Sequence, residues 1–268
     1  MERPASLAAD AQVLRETGAL AIAERVAEEM PVAVIYNNVV AAVMMATPCD
    51  LEDFAWGFSL GEGIVEDPDE IIAVSARTGT SGAELHITVE PEAAVRAAAR
   101  TRRLVGRSGC GLCGVGSLEA AMVEPRQVGR AVRVRPQAIA DALAELPEYQ
   151  PLNRETRAVH AAAWATRAGS IAFAREDVGR HNALDKLIGA MARARSDATD
   201  GFCIVTSRCS YEMVEKAMRA GIELLVAVSA PTGLALRLAE RAGMTIIGIA
   251  RADAQTVFTA PERLGLAT

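Results

Sequence analysis

The fold of this chain is decided by the stretch FCIVTSRCSYEMVEKAMRAGIELLVAVSAPTGLALRLAERAGMTIIGI, residues 202–249. Three short apolar runs, 202–206, 224–229 and 245–249, alternate in it with two amphipathic segments, 211–220 and 233–242. Short, nearly continuous apolar runs are typical of buried strands, whereas an apolar stripe at helical spacing predicts a helix. Strands that alternate with helices predict an α/β domain whose sheet is covered on both faces.

The same pattern continues upstream of this stretch. A strand near 132–134 is expected to lead into a helix over 136–145, and the runs 159–165 and 170–175 predict a hairpin turning at Ala168-Gly169. A helix should follow over 178–194. These elements complete a three-layer α/β/α domain.

The first hundred residues predict a smaller α+β domain. Asn37-Asn38 tolerates the positive φ of a tight turn, which predicts a hairpin of 32–36 with 39–45. Asp50 is expected to cap a helix that begins at Leu51. A second strand pair, 71–76 with 84–89, precedes a helix over 91–103, and residues 1–30 are expected to form an irregular lead-in or an amphipathic helix.

Between the two halves lies a run that fits no regular element. Residues 106–116 read GRSGCGLCGVG, with five glycines in eleven positions. So many glycines would weaken a helix or a strand, because each loses much backbone entropy on folding. We therefore predict an N-terminal domain over 1–105, a mobile Gly/Cys loop over 106–125 and a C-terminal domain over 126–268.

Composition excludes several classes of protein. Of 268 residues 51% are hydrophobic and 23% are charged, which is ordinary for a globular chain and not for a disordered one. The longest wholly apolar run, 39–46, is far shorter than the ~20 residues of a transmembrane helix, and residues 1–30 lack the pattern of a secretory signal. Five cysteines do not suggest a disulfide framework, so we expect a cytoplasmic protein with no membrane association.

Basic charge is concentrated in one part of an acidic chain. The net charge is −6, yet residues 96–135 hold nine arginines against two acids, a local balance of +7. Arginine suits bidentate contacts with phosphate or carboxylate, so this stretch is expected to bind an anion. The overall acidity and an aromatic content of 4% argue against nucleic acid as that anion.

The glycine-rich run contains a pair of cysteines, Cys110 and Cys113, that allows three chemistries. The pair could supply two of the four ligands of a zinc site, but no second Cys-x-x-Cys pair supplies the other two. A dithiol–disulfide switch is another, although thioredoxin-type pairs lie where a strand meets a helix. The third is an exposed nucleophile that accepts and passes on a group, its thiolate favoured by neighbouring arginines and its neighbour assisting release.

Polar residues also collect after the predicted strands. His181 lies in the charged run 175–186 at the start of a helix, Ser207 and Ser210 follow the next strand, and Thr232 and the segment 249–254 follow the last two. Capping and ion pairing would explain most charged residues of that run equally well. Because strand ends and helix N-termini meet at one edge of an α/β sheet, these segments are expected to line a crevice suited to phosphate.

Several of these motifs together resemble the FdhD/NarQ family. They are GCGLCG (109–114), EDVGRH (176–181), ALDKL (183–187), SRCSYEMV (207–214) and AVSA (227–230), with GFSLGEG (57–63) upstream. The resemblance spans residues 26–264. It implies a sulfur carrier, sulfurtransferase-like, that accepts a persulfide sulfur from a cysteine desulfurase and transfers it to the molybdenum of bis(molybdopterin guanine dinucleotide) before that cofactor enters formate dehydrogenase.

The resemblance also assigns roles to residues. It implies that Cys110 carries the sulfur with Cys113 as its partner, and that the guanine dinucleotide cofactor binds along the segment after the last strand. That segment comprises Ile249, Ala250, Arg251, Ala252, Asp253 and Ala254, and its first and last positions differ from the aromatic and basic residues common in the family. We place His181 and Ser207 with it as cofactor-binding candidates.

The resemblance further implies a homodimer and a C-terminal domain similar to cytidine deaminases. A zinc deaminase needs a glutamate and a second cysteine at positions that hold Ala183 and Glu212 here, so no metal is expected. The competing hypothesis is a chaperone that docks the molybdenum cofactor without carrying sulfur.

Overall fold

A computed structural model describes residues 3–16, 18–104 and 124–265. Within these ranges the chain forms three β-sheets and a set of helices, the mixed α/β class that the alternation predicts. The strands are β1 (Ser6–Arg15), β2 (Gly18–Ala27), β3 (Met30–Tyr36), β4 (Val39–Ala46), β5 (Ile71–Thr78), β6 (Ala83–Val89), β7 (His160–Thr166), β8 (Ile171–Asp177), β9 (Gly201–Val205), β10 (Leu224–Ala227), β11 (Thr245–Gly248) and β12 (Thr256–Val257). The helices are α1 (Leu51–Gly61), α2 (Pro91–Leu104), α3 (Pro136–Glu145), α4 (Pro151–Thr156), α5 (Arg180–Arg193), α6 (Tyr211–Arg219) and α7 (Gly233–Ala242).

The largest sheet has the order β12-β11-β10-β9-β7-β8. Its centre, β9, β10 and β11, is parallel, and β7, β8 and β12 pair with their neighbours antiparallel. One face packs on α5, α6 and α7, and the other packs on α3 and the C-terminal turn. The predicted cover on both faces is therefore present, because alternate residues of each central strand enter two separate apolar clusters.

A second sheet, of order β4-β3-β6-β5, lies in the first half of the chain. Asn37 and Asn38 have φ of 44° and 69°, so they make the predicted tight turn between β3 and β4. Residues of α1 and α2 join the apolar cluster on one side of this sheet. No helix in the described part of the chain has both the length and the apolar run needed to cross a bilayer.

The two larger sheets share one apolar cluster, which runs from Met30 to Ile246. The contact that joins them is a crossing of α1 over α5, where Gly57 and Gly189 let the two backbones touch. A Cβ at Gly57 would lie 1.6 Å from the Asp185 carbonyl oxygen, and one at Gly189 would lie 1.8 Å from the Asp53 carbonyl oxygen. The domain boundaries at 105 and 126 stay a prediction, since most of 106–125 lies outside the described residues.

Three local predictions are wrong. Residues 6–27 form the antiparallel hairpin of β1 and β2 instead of a lead-in or a helix. Alanine favours helix, but apolar residues at every second position favour a ribbon, and here cross-strand pairing prevails.

Residues 132–134 form no strand, since Val132 N–H donates to Glu223 and Val134 N–H to the Arg263 carbonyl. Asp50 precedes α1 with φ 51° and makes no side-chain cap.

The helix crossing gives a test of the fold. We expect Gly57→Ala to lower the free energy of unfolding by about 3 kcal/mol or more, because its methyl group would meet backbone that cannot move aside without separating α1 from α5. The matched control is Gly233→Ala, in the first turn of α7, where a Cβ would meet the Arg237 side chain at an ordinary 3.5 Å. Urea unfolding of both variants measures the difference, and equal midpoints would contradict it.

Candidate functional site

The segments after β9, β10 and β11 lie side by side, as the strand order requires. Cys209 N–H donates to the Ala230 carbonyl at 3.2 Å, and Thr232 N–H returns a bond of 3.0 Å to Cys209. Ile249 N–H donates to the Ser229 carbonyl at 3.0 Å. The carboxyl-terminal edge of the parallel strands therefore brings together the polar segments that the sequence pattern selected.

The segment 249–254 is a tight turn on this edge. Ile249 has φ 52° and is half exposed, while Ala250 is buried beneath it. Arg251 N–H donates to the Ala254 carbonyl at 2.7 Å, and its guanidinium donates to the Val228 carbonyl at 2.6 Å. The Arg251 side chain therefore fastens the turn to the residue that follows β10, and residues 251–254 are exposed.

Next to this edge, α5 begins with two polar side chains that the described residues leave unsatisfied. Arg180 Nε and His181 Nε2 are buried atoms without a hydrogen-bond partner in the described parts of the chain. The nearest carboxylate oxygen to His181 Nε2 is that of Glu212, at 4.0 Å, and it accepts a bond of 2.8 Å from Ser210. Buried polar atoms without partners are rare in native proteins, and a ligand is one common reason for them.

The electrostatic surroundings keep His181 neutral. Burial lowers its pKa to about 4, and the positive charges of Lys216 and Arg180 add to that shift, against the opposing effect of Glu212. A neutral imidazole can accept or donate one hydrogen bond at Nε2, depending on its tautomer. The ring is therefore suited to hydrogen bonding at neutral pH and unsuited to acting as a fixed positive charge.

Ser207 differs from His181 in being internally satisfied. It is 4% exposed, and its hydroxyl donates to the Arg208 carbonyl at 3.1 Å. The structure thus places Ser207 at the correct edge of the sheet, but with its hydroxyl engaged by the protein itself.

Most of the charged run 175–186 holds the strand-to-helix junction in place. Asp177 and Lys186 form a fully buried ion pair of 2.7 Å. Asp177 also accepts bonds from the Thr47 and Gly179 N–H groups and from the Asn182 amide. The pair is thereby satisfied on all sides, as a buried charge must be, and it pins α5 to the end of β4.

Glu176 has a capping role in the same run. Its carboxylate accepts the Leu152 and Asn153 N–H groups at 2.9 and 2.7 Å, which are free donors at the start of α4. Structural roles thus account for Glu176, Asp177, Asn182 and Lys186. The buried side-chain atoms without a hydrogen-bond partner in the described residues are Arg180 Nε and His181 Nε2.

A second buried network, which the sequence motifs do not indicate, lies under the site. Lys216 Nζ donates to both Asp185 oxygens, at 2.8 and 2.9 Å, and to Glu62 at 2.8 Å. Glu62 in turn binds Arg100 of α2, and the positive partners hold the pKa of Glu62 at about 2. A signal was available, because Lys186 and Lys216 are the two lysines in a chain with 26 arginines, and both are buried in ion pairs.

The predicted anion-binding stretch is partly committed to the fold. Arg96 binds Glu70 and the Ile64 carbonyl, Arg100 binds Glu62, and Arg133 donates to nearby carbonyls. The side chains of the arginines at 102, 103 and 107 lie outside the described parts of the chain. Anion binding by this stretch stays a prediction.

Cys110 and Cys113 lie outside the described residues. The other three cysteines are poor nucleophiles. Cys203 and Cys209 are fully buried, and burial raises the pKa of both, that of Cys209 to about 12. Cys49 is partly exposed, yet burial raises its pKa to about 11 despite Lys186 nearby. All three stay protonated at neutral pH, and thiols react poorly in that form.

The deaminase-like positions do not assemble a metal site within 3–16, 18–104 and 124–265. No group of three His, Cys, Asp or Glu there is arranged to hold an ion. Cys209 is sealed in the core, and Glu212 is engaged by Ser210. The similarity to cytidine deaminases stays a prediction.

Comparisons with known proteins give a consistent result. Residues 27–265 match the model of the FdhD/NarQ family. A protein named sulfur carrier protein FdhD from Xanthomonas campestris pv. campestris is 52% identical over 98% of this chain and 94% of its own length. One of the same name from Cupriavidus necator is 48% identical over 90% of this chain and 84% of its own. A crystal structure from Desulfotalea psychrophila, of a protein provisionally described as a formate dehydrogenase accessory protein, superposes with a TM-score of 0.79 and 27% identity, covering 97% of this chain and 100% of that one.

The His181 environment predicts an unusual titration. We expect its ring to titrate near pH 4 in the folded protein, against 6.5 in the unfolded chain, because burial and two cations oppose the imidazolium. The unfolded chain then binds more protons through this group between those values, so its contribution to stability is lost as pH falls from 6.5 to 4. NMR of the ring nitrogens measures the titration, and Glu212→Gln should lower the pKa further; a His181 pKa near 6.5 would contradict the assignment.

Proposed function

The chain belongs to the FdhD/NarQ family, and from that premise we propose that it is a sulfur carrier for the maturation of formate dehydrogenase. Relatives that are about half identical over nearly the whole chain are named sulfur carrier proteins, and the solved relative is described as a formate dehydrogenase accessory protein. The observation that carries the proposal is the cysteine pair Cys110 and Cys113, set among glycines within this family match.

The properties of the other three cysteines support the assignment of sulfur transfer to this pair. Sulfur transfer requires a thiolate that can reach two macromolecules in turn. Cys203 and Cys209 are sealed in the core, and Cys49 is held protonated. The three cysteines of the described residues are therefore unsuited to the task, which leaves Cys110 and Cys113.

The first step is an exchange of sulfur between two cysteines. The Cys110 thiolate attacks the terminal sulfur of a persulfide on a cysteine desulfurase. A new S–S bond forms at Cys110, the S–S bond of the donor breaks, and the donor cysteine leaves as a thiolate. Cys110 then carries a persulfide, and no external oxidant is needed.

Cys113 can complete the transfer. Its thiolate attacks the Cys110 sulfur, so a Cys110–Cys113 disulfide forms and hydrosulfide leaves with the two electrons that the cysteine pair has lost. The hydrosulfide is passed to the molybdenum of bis(molybdopterin guanine dinucleotide), which is the substrate of the carrier. A thiol reductant then restores the dithiol.

We place the cofactor at the carboxyl-terminal edge of the large sheet. Segment 249–254 offers an exposed turn there, and the buried atoms Arg180 Nε and His181 Nε2 have no hydrogen-bond partner in the described residues. Helix α5 begins at the same place, and its free N–H groups favour the pyrophosphate of a guanine dinucleotide. Ser207 would contribute after its hydroxyl turns from the Arg208 carbonyl. We further propose that the carrier works as a homodimer.

Sulfur loading tests the proposal. After incubation with a cysteine desulfurase and cysteine, we expect the intact mass to rise by one sulfur atom in the wild-type protein and not in Cys110→Ser, because the acceptor thiolate is gone. Cys49→Ser is the matched control and should load like the wild type, since that thiol is protonated at neutral pH. Loading of Cys110→Ser at the wild-type level would overturn the carrier role.

Activity of the maturing dehydrogenase separates the carrier from its competitor. A chaperone that docks the cofactor without handling sulfur would support full formate dehydrogenase activity as Cys110→Ser, whereas a carrier would not. His181→Ala tests the site independently, because it should weaken binding of the guanine dinucleotide cofactor while Cys110 still takes up sulfur.

A further inference from the structure

Three basic side chains lie close together where strand β7 begins. Because β7 runs antiparallel to both of its neighbours, its first residue, His160, lies at the carboxyl-terminal ends of β8 and β9. Arg180 follows β8, and Arg208 follows β9. Burial lowers the pKa of His160, and the positive charges of Arg180 and Arg208 lower it further, so both guanidinium groups lie within electrostatic range of the ring. We call these three residues the basic cluster.

The basic cluster has no protein anion to balance it. Within the described ranges, Arg180 and Arg208 take part in no hydrogen bond and no ion pair, and the Arg180 Nε atom is buried without an acceptor. The Asp177 carboxylate is buried in its ion pair with Lys186, and that of Glu212 accepts the hydroxyl of the residue before α6. A buried donor without an acceptor costs free energy, and a ligand that supplies the acceptor removes that cost.

The donors of the basic cluster suit a diphosphate. Each guanidinium offers a planar set of N–H donors that matches two oxygens of a phosphoryl group, so two arginines can hold two such groups. The neutral imidazole of His160 can add one hydrogen bond without adding charge. Arg180 is half-buried and Arg208 is exposed, so one arginine is held within the protein and the other faces solvent, where a ligand arrives.

The segment 249–254 lies farther along the same sheet edge and has the opposite electrostatic character. Strands β10 and β9 separate β11 from β7, so three strand spacings, roughly 14 Å in all, lie between the end of β11 and the start of β7. In the segment, the Arg251 guanidinium already donates to the Val228 and Ala250 carbonyls, and Asp253 is an exposed acid. A phosphate is therefore disfavoured at the segment and favoured at the basic cluster.

We propose that the basic cluster is a diphosphate subsite, in which Arg180 and Arg208 each hold one phosphoryl group of a nucleotide whose base lies toward segment 249–254. The inference deepens the proposed function, on which the identity of that nucleotide as a guanine nucleotide rests. It fixes the direction in which the cofactor lies along the sheet edge, and it makes Arg208 a residue that distinguishes a nucleoside diphosphate from a nucleoside.

Calorimetric titration of the full chain tests the subsite. The wild-type protein should bind guanosine diphosphate at least about 10-fold more tightly than guanosine, and Arg208→Gln should lose most of that preference, because a charged partner of the diphosphate is gone while the turn at 249–254 is unchanged. Arg77→Gln is the matched control. It removes an exposed arginine from the four-stranded sheet and should bind guanosine diphosphate like the wild type.

Inorganic pyrophosphate separates the subsite from the rest of the proposed function. It should compete with guanosine diphosphate and bind Arg208→Gln at least about 10-fold more weakly than the wild type. Circular dichroism should show the variant folded, and its Cys110 should still load with sulfur. Equal pyrophosphate affinity in the two proteins, or a wild type that binds guanosine diphosphate no better than guanosine, would overturn the subsite. Failed loading of Cys110 in the wild type would instead contradict the carrier role and leave the subsite in place.

Discussion

The close crossing of α1 and α5 is the constraint on which the rest of the structure depends. Gly57 and Gly189 remove the side chains at the contact, so the helices meet backbone to backbone. That approach brings Asp53 of α1 within reach of Arg175 and Arg193. It also brings Glu62, just after α1, to the buried Lys216. The site on the large sheet is therefore positioned by a helix that belongs to the other half of the chain.

The two lysines show how the site is supported. Lys186 pairs with Asp177 and so holds the junction between β8 and α5. Lys216 pairs with Asp185 of α5. Buried ion pairs contribute little net stability, since desolvation offsets their attraction, but they strongly disfavour arrangements in which a charge is left alone. The lysine end group is a compact charge with three donors, and Lys216 directs them to Asp185 and Glu62. The positive charge of Lys216 also helps to keep His181 neutral.

Much of this architecture could be predicted because its signals are local. The alternation over 202–249, the Asn37-Asn38 turn and the gathering of segments at the strand ends all follow from short-range patterns and one topological rule. The hairpin over 6–27 was not predicted, because the helix preference of its many alanines masks a weak alternation of apolar residues that favours a ribbon. The close contact of Gly57 with the backbone of α5 could not be predicted either, because a glycine in a sequence does not show which element packs against it. For His181, the charged run suggested a role, but burial without a partner is a property of the three-dimensional structure.

Ile249 combines two properties that rarely occur together, a β-branched side chain and a left-handed backbone with φ 52°. Such a conformation costs on the order of 1–3 kcal/mol and persists where its surroundings enforce it, here through the bond to Ser229 and the buried Ala250 beneath. The sharp bend at this edge therefore lowers the stability of the folded chain by that amount. A ligand that binds along residues 252–254 would meet a backbone turn that is already formed. Little binding free energy would then be lost to ordering the protein.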